Sequence, residues 1–165
     1  MNKSIVIYFS RADENYSVGF VEKGNTEVIA EYIKEMTGAD LFKVEPTIAY
    51  SKDYNTCIEE AKQRQESSNA PIISSIPDIS NYDTIYIGSP IYWNRMPAEL
   101  ETALKEVDFS GKTIRVFTTH EGSGLGNVVN DIKRICVGAN VLDNSLEVQG
   151  SMVNFSKDKV KNWIK

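Results

Sequence analysis

Apolar residues along this chain follow two rhythms that alternate. Ile5-Val6-Ile7-Tyr8-Phe9, Thr84-Ile85-Tyr86-Ile87-Gly88 and Thr113-Ile114-Arg115-Val116-Phe117-Thr118-Thr119 are short runs rich in β-branched and aromatic residues. Runs of this kind suit strands buried on both faces, as in a parallel sheet. Between them the apolar positions recur at helical spacing. Val28, Ile29, Tyr32, Ile33 and Met36 predict a helix from Thr26 to about Thr37, with Asn25 or Thr26 placed to cap it and Gly38 to end it.

The same reading continues down the chain. Asp40-Leu41-Phe42-Lys43-Val44 is a second strand, closed by Pro46. A weakly amphipathic helix follows from about Asn55 to Gln65, with Ile58 and Ala61 inward, and Ile72 to Tyr82 reads as irregular. Pro97 starts a helix over Ala98 to Leu104, since its fixed φ suits a first turn. Asn127 to Ile135 is a helix burying Val128, Val129, Ile132 and Ile135. Asn140 to Val148 is a fifth strand, interrupted at Asp143-Asn144-Ser145, and Ser156 caps a last helix with Val160, Trp163 and Ile164 on its inner face. Strands alternating with helices predict right-handed crossovers and an α/β fold: a three-layer, doubly wound parallel sheet of five strands in the order 2-1-3-4-5. At 165 residues the expectation is one domain over 1–165.

Composition narrows the partners. The chain has 18 Lys+Arg against 23 Asp+Glu, a net charge of -5, and no basic run. Nucleic acid and anionic membrane surfaces need a cationic face, so neither is expected as a partner; a docking protein would be basic. Cys57 and Cys136 stand far apart in no CxxC arrangement, and the N-terminal apolar run is too short for a signal peptide or a membrane span. A reduced, cytoplasmic chain is the expectation.

In a sheet of this order the ligand crevice lies at the carboxyl ends of the first and third strands. Three loops meet there. The first runs from Ser10-Arg11 to Gly24-Asn25-Thr26, ahead of a helix N-terminus where amides and the helix dipole favour an anion. The second is Ser89-Pro90-Ile91-Tyr92-Trp93-Asn94-Arg95-Met96-Pro97, and the third Thr119-His120-Glu121-Gly122-Ser123-Gly124-Leu125-Gly126-Asn127. Each alone has a plain reading: a capped helix, core aromatics, a flexible turn. Together they describe a phosphate cradle, an aromatic surface and an amide-rich loop, hence a ligand with a phosphate at one end and a flat, hydrogen-bonding ring at the other. Other nucleotide readings fail on spacing. Asn127 stands where a G-x-G-x-x-G dinucleotide motif needs its third Gly, and Gly24-Asn25-Thr26 has no P-loop Lys. Phe9-Ser10 and Gly88-Ser89 stand where a phosphoacceptor receiver domain needs acidic residues.

Tyr8-Phe9-Ser10-Arg11, Gly24-Asn25-Thr26, Gly88-Ser89-Pro90-x-Tyr92-Trp93-x-x-Met96-Pro97 and Thr119 to Gly126 resemble the flavodoxin-like family of FMN-binding proteins over nearly the whole chain. The resemblance implies that Ser10, Asn25 and Thr26 hold the FMN phosphate, with Arg11 and Gly24 in the same cofactor site. It implies that Pro90, Ile91, Tyr92, Trp93 and Asn94 flank the isoalloxazine, and that Thr119, His120, Glu121, Gly122, Ser123 and Gly124 meet its pyrimidine edge. It further implies an electron carrier that cycles the flavin through its three redox states and serves redox partner proteins. The alternative is an FMN-dependent NAD(P)H:quinone oxidoreductase, because the third loop has no aromatic to cover the ring. Two departures stand out. The compact family loop Ser-Arg-x-Gly-Asn-Thr is opened here by Ala12 to Lys23, either a lid or docking surface carrying Tyr16 and Phe20 or a solvated excursion. Asn94 occupies a turn position that is commonly Gly. His120, the only histidine, is expected near the pyrimidine edge, with Glu121 alongside to favour its protonated form.

Overall fold

A computed structural model describes residues 3–15, 19–21, 23–67 and 70–165. Strand β1 (Ser4–Tyr8) is followed by two short strands, β2 (Asp13–Asn15) and β3 (Gly19–Val21), then helix α1 (Asn25–Thr37) and strand β4 (Asp40–Lys43). Helix α2 (Tyr54–Ser67) leads through an irregular segment to β5 (Thr84–Pro90), α3 (Ala98–Lys105) and β6 (Thr113–His120). The chain closes with α4 (Val128–Ile135), β7 (Asn140–Val141), β8 (Leu146–Gln149), a 3-10 helix (Gly150–Phe155) and α5 (Lys157–Ile164).

The main sheet runs β4-β1-β5-β6, and its far edge is shared. β7 pairs with the start of β6, and β8 with its end (Phe117↔Leu146 to His120↔Gln149), all parallel. The predicted fifth strand is thus two pieces broken at Asp143-Asn144-Ser145, and the order is the expected 2-1-3-4-5. Two apolar clusters cover the faces of the sheet. Ile5, Ile7, Ile85, Ile87, Ile114 and Val116 point to the α3/α4 side with Leu100, Leu104 and Ile132. Val6, Tyr8, Tyr86 and Phe117 face α1 and α5 through Ile29, Ile33, Val160 and Trp163. Alternate residues of one strand feed opposite clusters, which is why these runs are apolar throughout.

Several local expectations need correcting. Neither Asn25 nor Thr26 caps α1; Gly24 holds the N-cap position, and its side-chain role passes to Ser10, whose Oγ accepts the Glu27 amide at 3.1 Å. Ser156 likewise makes no side-chain cap, because its hydroxyl donates back to the Val153 carbonyl at 2.7 Å. In α2 the buried pair is Cys57 and Ala61, while Ile58 is only half-buried.

The stretch Ala12 to Lys23 contains a hairpin, with Asp13↔Val21, Glu14↔Phe20 and Asn15↔Gly19 paired antiparallel. Its apex, and with it the expectation placed on Tyr16, lies outside the described residues. The feet of the hairpin meet. A Cβ added at Gly24 would overlap Ser10 Oγ and lie 2.7 Å from the Arg11 carbonyl oxygen, so only glycine fits this approach. The compact loop is therefore already closed beneath the insertion.

This closure predicts that a deletion of Ala12 to Lys23, joining Arg11 to Gly24, folds. Chemical denaturation should show an unfolding free energy changed by about 1 kcal/mol or less, the scale of a change confined to loop closure. An unfolded product would show instead that the hairpin carries part of the core.

Candidate functional site

The carboxyl ends of β1, β5 and β6 open into a cavity of about 360 Å³, within the range of small-ligand sites. Arg11, Asn25 and Thr26 line one end, Pro90 to Asn94 one side, and Thr119, His120, Glu121 and Ser123 the other. Of the residues singled out in the sequence, Ser10, Gly24, Gly122 and Gly124 do not line it directly. Ser10 and Gly24 shape the floor behind Asn25 and Thr26 through the contacts already described.

The first loop is built as an anion cradle. The first bond of the α1 ladder is Val28 N–H to the Gly24 carbonyl, at 3.2 Å, and Ser10 takes the Glu27 amide. The amides of Asn25 and Thr26 stand ahead of that ladder at the positive end of the helix. The Thr26 hydroxyl, fully buried, lies 2.7 Å from that of Thr119, so the start of α1 is tied to the end of β6. Arg11 turns toward the chain after β4, donating to the carbonyls of Ser51 at 2.6 Å and Lys52 at 3.2 Å.

The second loop is a tight reversal. The Tyr92 amide donates to the Arg95 carbonyl at 2.7 Å and the Arg95 amide to the Tyr92 carbonyl at 3.0 Å, closing a two-residue turn. Trp93 (φ 52) and Asn94 (φ 66) both take left-handed conformations, the signature of a type I′ turn. Asn94, at the turn position commonly held by Gly, takes a positive φ, and Trp93 shares it. The two aromatics diverge. The Tyr92 ring meets Phe9 and Tyr50 edge-on at 5.8 and 5.7 Å, and its hydroxyl is buried without a hydrogen bond. Trp93 stays 48% exposed, leaning on α2 through an indole N–H bond to the Ile58 carbonyl at 2.6 Å.

The third loop touches the second. The Asn127 amide donates to the Asn94 carbonyl at 2.8 Å, and a Cβ at Gly126 (φ 51) would come within 2.9 Å of that same oxygen. His120 is not paired with Glu121. Its Nε2 contacts the Glu147 carboxylate of β8, while Nδ1 accepts the Gly122 amide at 2.9 Å. With Nδ1 accepting the Gly122 amide, the ring presents Nε2 to the Glu147 carboxylate. Glu121 turns away toward Gly150 and Asn25, so that a Cβ at Gly150 would overlap its carboxylate. Both carboxylate oxygens are shielded from water with no hydrogen bond of normal geometry. Burial pushes the Glu121 carboxyl above its usual range, offset only in part by the neighbouring Gln149 side chain, His120 and the Gly150 amide.

One wall of the cavity was not anticipated. Tyr54, Cys57, Ile58 and Ala61 of α2 line it. The helix was visible as a weak amphipathic pattern, but nothing in that pattern pointed it at the strand ends. Across the site a chain of charges holds the second loop: Arg95 bonds Glu101 at 3.1 Å and approaches Asp131 at 3.5 Å, and Asn127 donates to Asp131 at 3.1 Å.

A doubly wound α/β protein with an anion cradle and an aromatic loop at the strand ends is the class these features define. The sequence profile of the flavodoxin family matches residues 15–165, and the chain belongs to that family. Solved structures share its fold. A candidate flavoprotein of Bacteroides eggerthii superposes with a TM-score of 0.77 at 24% identity, covering 99% of this chain and 96% of that one. A flavoprotein of Lactobacillus acidophilus, solved in complex with FMN, has a TM-score of 0.68 at 20% identity and covers all of both chains. Oxidised flavodoxin 2 of Bacillus cereus has a TM-score of 0.56 at 17% identity, covering 98% of this chain and 97% of that one. No curated protein matches the chain significantly. Among the described residues, no helix is long and apolar enough to cross a membrane.

The buried Glu121 carboxyl yields a prediction with a definite sign. An acid whose folded pKa is raised contributes stability below its unfolded value of ~4.3, and that contribution is lost as pH rises through the folded value. Glu121→Gln should therefore unfold at a higher temperature than the parent at pH 7 to 8, with the gap closing toward pH 4. Thermal unfolding of the apoprotein across that range measures it. A gap independent of pH would mean that Glu121 does not titrate as a buried group.

Proposed function

We propose that the protein binds FMN in this cavity and works as a flavodoxin-type electron carrier. The observation that carries the reading is the pairing, in one cavity, of a helix-terminal anion cradle with a ring-sized slot between two loops fastened to each other. The residues fit the ligand. The amides of Asn25 and Thr26 and the Thr26 hydroxyl suit a phosphate, with Ser10 and Gly24 shaping the floor behind them. Pro90, Ile91, Tyr92, Trp93 and Asn94 on one side, with Thr119 to Gly124 on the other, suit a flat ring with a hydrogen-bonding edge. Bound FMN supplies one- and two-electron chemistry. The protein's own residues would orient it and receive its phosphate on helix-terminal amides, at the end of the cavity that Arg11 also lines.

Helix α2 lines one wall of the cavity, and the small size and acidity of the chain favour a carrier that exposes one edge of its ligand. A chain of net charge -5 would meet redox partner proteins through basic faces. The alternative, an NAD(P)H:quinone oxidoreductase, draws on the third loop's lack of an aromatic and on the apolar α2 wall formed by Cys57, Ile58 and Ala61. Steady-state NAD(P)H oxidation by the FMN-loaded protein with quinones separates the two. The carrier reading expects no turnover above that of free FMN, and sustained saturable turnover would replace it with the reductase.

The cradle can be tested by itself. Thr26→Val should weaken FMN more than riboflavin by roughly tenfold or more, the worth of one hydrogen bond to a charged group. Flavin fluorescence titrations of both ligands give the comparison. Equal losses would place Thr26 away from the phosphate.

A further inference from the structure

Helix α2 buries little of itself, only Cys57 and Ala61, yet it hands a series of groups to the Pro90–Pro97 loop. The Ile58 carbonyl takes the Trp93 indole N–H, and the Lys62 ammonium lies 5.3 Å from the Trp93 ring centre. Arg64 pairs with the buried Glu99 of α3 at 2.8 Å, and the same carboxylate accepts the Tyr50 hydroxyl at 2.7 Å. At the next position the Gln65 carboxamide donates from Nε2 to the Tyr92 carbonyl at 2.7 Å and to the Met96 carbonyl at 3.0 Å.

Those two carbonyls bracket the Trp93–Asn94 turn. A left-handed conformation is an uncommon state for any residue but glycine and a costly one for a bulky side chain such as Trp. Two such residues in succession persist only where the surroundings over-determine them. The Tyr92–Arg95 backbone pair closes the turn from within, and the Asn127 amide holds the Asn94 carbonyl from the third loop. Gln65 holds both stems from outside, and its two N–H groups match the two carbonyls without remainder.

We infer that Gln65 is a positioning residue of the ligand site: from α2, which carries none of the strand-end motifs, it pins both stems of the Trp93–Asn94 turn and so sets the ring-binding side of the cavity. The inference rests on the FMN reading above. Its competitor is a purely structural Gln65 that satisfies two carbonyls and affects stability alone.

The experiment compares FMN and riboflavin affinities of the parent, Gln65→Leu, Asn94→Gly and the double variant, with unfolding of each apoprotein recorded alongside. Gln65→Leu should weaken FMN and riboflavin equally, by about tenfold, the worth of one to two hydrogen bonds acting on the ring side rather than on the phosphate. Glycine holds a left-handed turn without strain, so in the Asn94→Gly background the loss should shrink to about threefold or less. Should Gln65→Leu fail to fold, Gln65→Glu keeps the size and swaps the donors for a carboxylate facing two carbonyls. Its riboflavin affinity should fall below the parent's at neutral pH and recover as the carboxyl protonates. Unchanged riboflavin affinity in the Gln65 variants, or the same loss in both Asn94 backgrounds, overturns the inference. A parent that binds neither flavin overturns the FMN reading instead.

Discussion

Three adjacent parallel strands whose carboxyl ends open onto one edge of the sheet are the constraint on which everything else in this molecule depends. β5 lies between β1 and β6 in a register that puts Tyr8 beside Gly88 and Pro90 beside Thr119. Each of those strands releases its loop at the same edge of the sheet, so the start of α1, the Trp93–Asn94 turn and the glycine-rich segment are delivered to one place. Parallel pairing has no say in what the loops contain; it decides that they meet. The bond between the Thr26 and Thr119 hydroxyls and the bond from the Asn127 amide to the Asn94 carbonyl then convert proximity into a fixed arrangement.

The second loop is held from two sides by different means. On one side α2 supplies neutral donors and acceptors, Gln65 and the Ile58 carbonyl. On the other, Arg95 is drawn toward Glu101 and the buried Asp131, with Arg134 reaching both acids at 3.3 and 3.4 Å. An Arg fork between two carboxylates fixes direction as well as distance. Between these supports lies a two-residue turn with no room to drift. A loop at a ligand site is usually among the more mobile parts of a fold, and here its flanks are among the most heavily bonded.

What could be read in advance, and what could not, follows from the range of each interaction. The alternation of β-branched runs with helical spacing reports burial on a strand or a helix, so the sheet, its order and the split fifth strand at Asp143-Asn144-Ser145 were legible. So were the three loops as candidate chemistry, because they sit where strands end. Interactions between residues distant in sequence left no pattern. The cap on α1 comes from Ser10, across an insertion that hides it, and the pairing of Arg64 with Glu99 spans 35 positions. Gln65 shares the face of α2 that carries Ile58 and Ala61, but its acceptors on Tyr92 and Met96 lie too far along the chain to show in that pattern. Asn94 announced a left-handed turn through its own chemistry, whereas Trp93 gave no such sign, since an aromatic adopts that state only when neighbours impose it. His120 and Glu121 are adjacent in sequence but, at the end of strand β6, their side chains leave on opposite faces. That two-residue periodicity sends one to Glu147 and the other to Gly150.

The hairpin that rises between Arg11 and Gly24 has a consequence of a different kind. Its two ends are brought together by the folded body rather than by the hairpin itself, so the body already supplies the closure that a loop ordinarily has to achieve. Under that condition length is nearly free: each doubling of an attached segment adds only ~0.6 kcal/mol of closure entropy. The position behaves as a port beside the anion cradle. A segment of another length in that place would change the closure entropy little, because Gly24 already packs on Ser10 and Arg11 beneath it.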